Sequence, residues 1–60
     1  MSNERKSGHV VGMTVVDEDG AKYALSVMEF SDLDEAERVT FEVSRGRRGK
    51  LWAVRVIPRM

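Results

Sequence analysis

Sixty residues with no cysteine and one histidine leave little room for staples: neither a disulfide, a thiolate metal site nor a multi-histidine site can form within one chain. A chain of this length buries only about 60% of its unfolded surface, so it needs a compact core or self-association. Ten basic against ten acidic side chains give zero formal net charge, which argues against a generic basic coat for nucleic acid. The charges are unevenly spread, however. Eight of the ten acids lie between Asp17 and Glu37, and six of the ten bases between Arg45 and Arg59, so a neutral total can hide a bipolar surface. No apolar run approaches the roughly 18 residues of a membrane span. The polar start shows no signal peptide. A cytoplasmic protein without membrane contact is the expectation.

Residues 1–7, Met-Ser-Asn-Glu-Arg-Lys-Ser, hold no apolar side chain after the first. They are expected to form a disordered polar tail ahead of a single β-barrel domain over residues 8–60. Residues 9–17, His-Val-Val-Gly-Met-Thr-Val-Val-Asp, are rich in β-branched side chains and predict the first strand. Gly12 inside it marks a bulge or sharp bend. Glu18-Asp19-Gly20 then turns the chain into Ala21-Lys-Tyr-Ala-Leu-Ser-Val-Met28. A three-residue loop wants glycine at its left-handed last position, where Gly20 stands. It pairs Val15 with Tyr23, Met13 with Leu25 and Val11 with Val27, gathering all six on one face. Exposed Val10, Val16, Met28, Leu51 and Ile57 would make a second greasy face, a surface for a homodimer or protein partner.

Residues 29–37 break the alternation. Ser31 or Asp32 can cap a helical turn, and the acids that follow favour its start. One turn is predicted, carrying the chain across the barrel end with Phe30 and Leu33 pinned to the core.

Residues 39–56 predict a hairpin around which the chain is organised. Val39, Phe41 and Val43 alternate with polar residues, and Trp52, Val54 and Val56 alternate after the turn. A four-residue loop, Gly46-Arg47-Arg48-Gly49, pairs Arg45 with Lys50, Val43 with Trp52, Phe41 with Val54 and Val39 with Val56. That register puts the large apolar residues, Phe41 and Trp52 included, on one side. Pro58 then ends the last strand or lies on an edge. The expected architecture is all-β, a small barrel or strongly curled antiparallel sheet of 4–5 strands with one short helical turn.

The stretch Glu37-Arg-Val-Thr-Phe-Glu-Val-Ser-Arg-Gly-Arg-Arg-Gly49, with Ala53 and Val56, resembles a cold-shock domain, the minimal OB-fold. Members commonly show a Val-x-Phe-Glu-Val strand, a Gly-x-x-Gly loop and an Ala-rich last strand. Phe30-Ser-Asp-Leu33 and Asp19-Gly20 are similar to connecting segments of the family. The resemblance implies an OB-like, cold-shock-like barrel that binds single-stranded nucleic acid. The family's two aromatic motifs, of the kind Lys-Gly-Phe-Gly-Phe and Val-Phe-Val-His-Phe, are absent. Lys22, Tyr23 and Phe30 are the residues that could stand in for them.

The most function-like feature is the hairpin tip, with Arg45, Arg47, Arg48 and Lys50 inside six positions. Phosphate contacts dominate nucleic-acid affinity and need no sequence signature. The expected partner is therefore single-stranded RNA or DNA, held by Arg45, Arg47, Arg48, Lys50 and Arg55, with Lys22, Tyr23 and Phe30 as secondary contacts. Trp52 is either a stacking platform or core, and the register favours core. The alternative is a protein-interaction module that kept the barrel and lost the nucleic-acid surface. No cofactor, metal site or enzymatic constellation is expected. His9 lacks a companion nucleophile or carboxylate, and the acids form no Asp-x-Asp-x-Asp-Gly calcium loop.

Overall fold

The computed structural model describes residues 5–59. Its strands are β1 (Lys6–Val11), β2 (Thr14–Asp17), β3 (Lys22–Leu25), β4 (Arg38–Arg45) and β5 (Leu51–Pro58). They close a barrel in the order β1-β2-β3-β5-β4, with β4 returning to β1. All pairs are antiparallel except β3 and β5, which run parallel. The small all-β barrel is thus the form adopted, and one parallel seam completes it. Of the predicted polar tail, residues 1–4 lie outside the described residues. Lys6 and Ser7 belong to β1, where they pair with Phe41 and Thr40, so the barrel begins earlier than residue 8.

The predicted first strand is two strands. Gly12 and Met13 form a two-residue turn between Val11 and Thr14. Gly12 has φ 57 at the first central position, where a hairpin of type II′ places glycine. The break lets Val10 pair with Val15 inside the barrel and leaves Val11 and Met13 exposed. The following hairpin keeps the predicted register. Asp17 donates its N–H to the Ala21 carbonyl, Val15 pairs with Tyr23, and Gly20 sits at the loop end with φ 88.

The helical turn lies upstream of its predicted place, as α1 (Val27–Phe30). Its cap is Ser26, whose Oγ accepts from the Glu29 N–H at 3.2 Å, so Ser31 and Asp32 do not start it. Ser26-Val27-Met28-Glu29 has the Ser-x-x-Glu spacing of a capping box. Here, however, the Glu29 carboxylate reaches another strand and accepts from the Val56 N–H at 3.2 Å. Val27 is exposed on this turn, while Phe30 and Leu33 pack against the core as predicted.

The closing hairpin pairs one residue out from the predicted register. Arg45 pairs with Leu51, Ser44 with Trp52, Val43 with Ala53 and Glu42 with Val54. The loop holds five residues, 46–50, because Gly46 donates its N–H to the Lys50 carbonyl at 2.7 Å. One extra loop residue moves every side chain of β5 to the other face. Ala53 therefore points inward and Trp52 outward, on the opposite side of the sheet from Phe41. Barrel diameter grows with strand number, so five strands enclose few large side chains. Tyr23, Leu25 and Phe41 already occupy this interior, and Ala53 fits beside Leu25, its partner across the parallel seam.

A bulge then restores the alternation. Thr40 pairs with Ile57 and Val39 with Pro58, a shift of one within the β4–β5 ladder. The extra residue falls at Arg55, which has φ 50. Beyond it Val56 faces the core again. The core is Val10, Val15, Tyr23, Leu25, Val39, Phe41 and Ala53. Val11, Met13, Val27 and Val43, all predicted core, are exposed, and Trp52 and Val54 are half-buried on the outer face. Since Val10 is buried, the predicted second greasy face does not assemble as proposed.

Candidate functional site

Residues 46–50 make the tip. Arg47–Gly49 form a 3₁₀ turn in which Arg48 and Gly49 are both left-handed, with φ 59 and φ 73. Lys50 donates its N–H back to the Arg47 carbonyl at 3.1 Å, which closes the turn. Its four cations, Arg45, Arg47, Arg48 and Lys50, are all exposed, and none makes an ion pair among the described residues. The predicted cluster is therefore brought together.

The tip folds against Trp52. The Lys50 ammonium lies 4.7 Å from the centroid of the indole, a cation–π contact. Gly46 lies at the indole edge, where a Cβ would come within 2.7 Å of Nε1. Any other residue at 46 would push the ring away. Across the parallel seam the neighbour of Trp52 is Ala24, a small side chain. Lys22, two residues earlier on β3, is exposed on the same outer side, so it joins the tip region.

Three other predicted contacts do not join it. Arg55 sits at the bulge, with Nε 4.0 Å from Glu42 Oε1. Tyr23 is buried in the core, so its ring offers no face to a ligand, and Phe30 is partly buried against that core. Trp52, assigned to the core from the alternation, is the aromatic that the fold sets beside the cations.

Arg5 occupies the middle of the β4–β5 outer face. Its Nη1 lies 3.2 Å from Glu42 Oε2, and its Nη2 donates to the Thr40 carbonyl at 2.8 Å and the Arg55 carbonyl at 2.6 Å. From Arg38 to Arg59 the chain carries seven Lys or Arg residues and one carboxylate, Glu42, which Arg5 and Arg55 flank.

The buried polar group is Asp17. It accepts from the N–H groups of Asp19 and Ala21, both at 2.9 Å, and from the Tyr23 hydroxyl at 3.0 Å. Burial pushes its carboxyl up. The bonds from Ala21, Tyr23 and Asp19 and the charge of Lys6 together outweigh that and hold it below the ordinary 3.8. Burial first, then Asp17 as bond partner and as charge, and Asp19, push the Tyr23 phenol above its ordinary 10.0. This pair fastens the turn between β2 and β3.

Among the described residues no three His, Asp or Glu side chains are grouped to hold a metal, and no helix is long and apolar enough to cross a membrane. Compared with known families, curated proteins and solved structures, the chain matches none of them.

Proposed function

We propose that this barrel binds single-stranded nucleic acid through the tip and the outer face of β5. The observation that carries the reading is the placement of Trp52: an aromatic on the outer face, in contact with Lys50 of a tip whose four exposed cations make no ion pair among the described residues. Bases stack on such rings for about 1–3 kcal/mol each, while cations track the backbone. The pairing that put Trp52 inside no longer supports the proposal. Its outward placement does, by supplying the aromatic that the absent motifs leave missing.

The strand order is consistent with an OB-type barrel, the architecture the cold-shock resemblance implies. OB barrels bind oligonucleotides with the face of strands 2 and 3 and with the β1–β2 and β4–β5 loops. The tip is the β4–β5 loop of this chain. Its β1–β2 connection is only the turn at Gly12 and Met13, and the outer side of β2 and β3 carries Thr14, Val16, Lys22 and Ala24, with no aromatic. The reading therefore moves the contact surface towards β5.

The test is a titration of a labelled oligothymidylate and an oligouridylate against salt. If each of the four tip cations neutralises one phosphate, log affinity falls with log salt at a slope of about −3. Trp52 emission is quenched as bases stack. Absence of binding at low salt, or binding indifferent to salt, removes the proposal.

A second reading, a protein-interaction module or homodimer, is favoured by Val27 and Met28, exposed at 70% and 82% on α1. It predicts that Met28→Lys disperses a concentration-dependent assembly while leaving the titration unchanged. A chain that sediments as a monomer at every concentration refutes the homodimer.

A further inference from the structure

We infer that the bound strand has a second anchoring point, a groove at the far end of β4 formed by His9, Arg38 and Arg59. This inference rests on the proposed nucleic-acid function and extends its site. His9 and Arg38 are direct cross-strand partners of β1 and β4 with exposed, outward side chains. Arg59 is tied beside them, because its N–H donates to the Arg38 carbonyl at 2.8 Å. Neither arginine makes an ion pair among the described residues. The three side chains line one wall of a groove of about 520 Å³ that passes Gly8 and ends at Asp17 and Glu18. Two guanidinium groups free of ion pairs among the described residues, with the His9 imidazole beside them, suit a phosphate diester.

The outer face of β4 connects this groove to the tip. Its outward residues are Arg38, Thr40, Glu42 and Ser44, and Ser44 stands across from Trp52. The carboxylate on that path, Glu42, is flanked by Arg5 and Arg55, so the path is not barred by unbalanced negative charge. The opposite wall is different. Asp17 is turned into its own hydrogen bonds, but exposed Glu18 repels phosphate. The strand therefore enters along β4 and β5, not across β2. From Arg38 to Arg45 the strand advances seven residues, about 23 Å at the usual rise. A single strand at the duplex spacing of about 3.4 Å per nucleotide needs roughly seven nucleotides to bridge that distance, and fewer when extended.

The experiment measures binding of oligothymidylates of three, six, nine and twelve nucleotides at several salt concentrations. It compares the unaltered chain with Arg38→Ala/Arg59→Ala, Arg38→Lys/Arg59→Lys and Arg47→Ala/Arg48→Ala. For the unaltered chain, the salt slope steepens between the shortest and longest oligomers. The alanine pair at 38 and 59 lowers the twelve-mer slope by about 1.4, at about 0.7 per phosphate contact, and leaves the three-mer unchanged. The lysine pair keeps the step, and the tip pair weakens every length. A circular dichroism spectrum like that of the unaltered chain guards against misfolding. Equal binding by the unaltered chain and the alanine pair at all lengths overturns the second anchor while leaving the tip in place. No binding of any length by the unaltered chain overturns the proposed function itself.

Discussion

Two of the three hairpins of this barrel, β2–β3 and β4–β5, reach their registers by different means. The β2–β3 hairpin closes with a three-residue loop and one left-handed glycine, Gly20, and its alternation runs unbroken. Asp17 supplies its polar fastening from within, taking three hydrogen bonds from its own loop and from Tyr23. The β4–β5 hairpin closes with five residues, forces Arg48 and Arg55 into left-handed backbone, and carries a bulge. Its bulge is held from outside the hairpin, by Arg5 from the chain start and Glu29 from α1. The first hairpin is specified locally. The second takes its register from the barrel around it, because only a small residue can face Leu25 across the seam.

The largest effects should separate these two origins. Phe41 is fully buried, and Phe41→Ala should cost about 3–5 kcal/mol. Against a stability of about 3–9 kcal/mol expected for this length, that removes from roughly a third of the stability to all of it. Trp52→Ala should cost only about 1–2 kcal/mol, as for a partly covered side chain. Ala53→Leu should overpack the interior and cost about 1–3 kcal/mol or more. Urea unfolding of the three variants checks the ranking. A Trp52→Ala loss as large as that of Phe41→Ala, with Ala53→Leu neutral, would restore the register in which Trp52 is core.

The same contrast sets what the sequence could disclose. The existence of the strands, the Val15–Tyr23 pairing and the clustering of the tip cations follow from alternation, glycine placement and charge, all of them local. Val10 was hidden because Gly12 has two uses, bulge or turn, and the turn shifts β1 by one position. The β4–β5 register was hidden because Gly46 and Gly49 fit a four-residue loop as well as a five-residue one. Ala53 and Val56 differ in parity along the last strand. Both can face inward only if an extra residue lies between them, and Arg55 is that residue. Arg5 could not be foreseen at all, since its partners stand 35 to 50 positions away.

A smaller effect tests the inner fastening of the β2–β3 hairpin. Asp17 titrates below its ordinary value in the folded state, so its contribution is complete above the unfolded value of about 3.9 and is lost as pH falls through the folded one. Tyr23 titrates above its ordinary value, so its contribution is complete below about pH 10 and is lost as pH rises towards the folded value. The thermal midpoint should therefore fall below about pH 4 and above about pH 10. Asp17→Asn should flatten the acid limb and Tyr23→Phe the alkaline one. An acid limb of unchanged steepness in Asp17→Asn would show that another carboxylate governs it.

The smallest effect bears on the outer fastening of the β4–β5 hairpin. A non-glycine residue in left-handed backbone costs about 1 kcal/mol or more, whereas glycine loses about 0.5–1 kcal/mol of extra entropy on folding. Arg55→Gly should therefore be neutral or stabilise by about 0.5 kcal/mol or more. Arg5→Ala removes the donors on the Thr40 and Arg55 carbonyls and should cost about 1 kcal/mol, or roughly 4–8 °C in thermal midpoint. The informative quantity is their coupling. If Arg5 holds a bulge that strains against the side chain of Arg55, Arg5→Ala costs less in the Arg55→Gly background, where glycine adopts the bulge unaided. A double-mutant cycle by urea unfolding then returns a coupling of at least about 0.5 kcal/mol. Strict additivity would mean that Arg5 only covers the outer face, and that the bulge is set by the inward demand of Ala53 and Val56 alone.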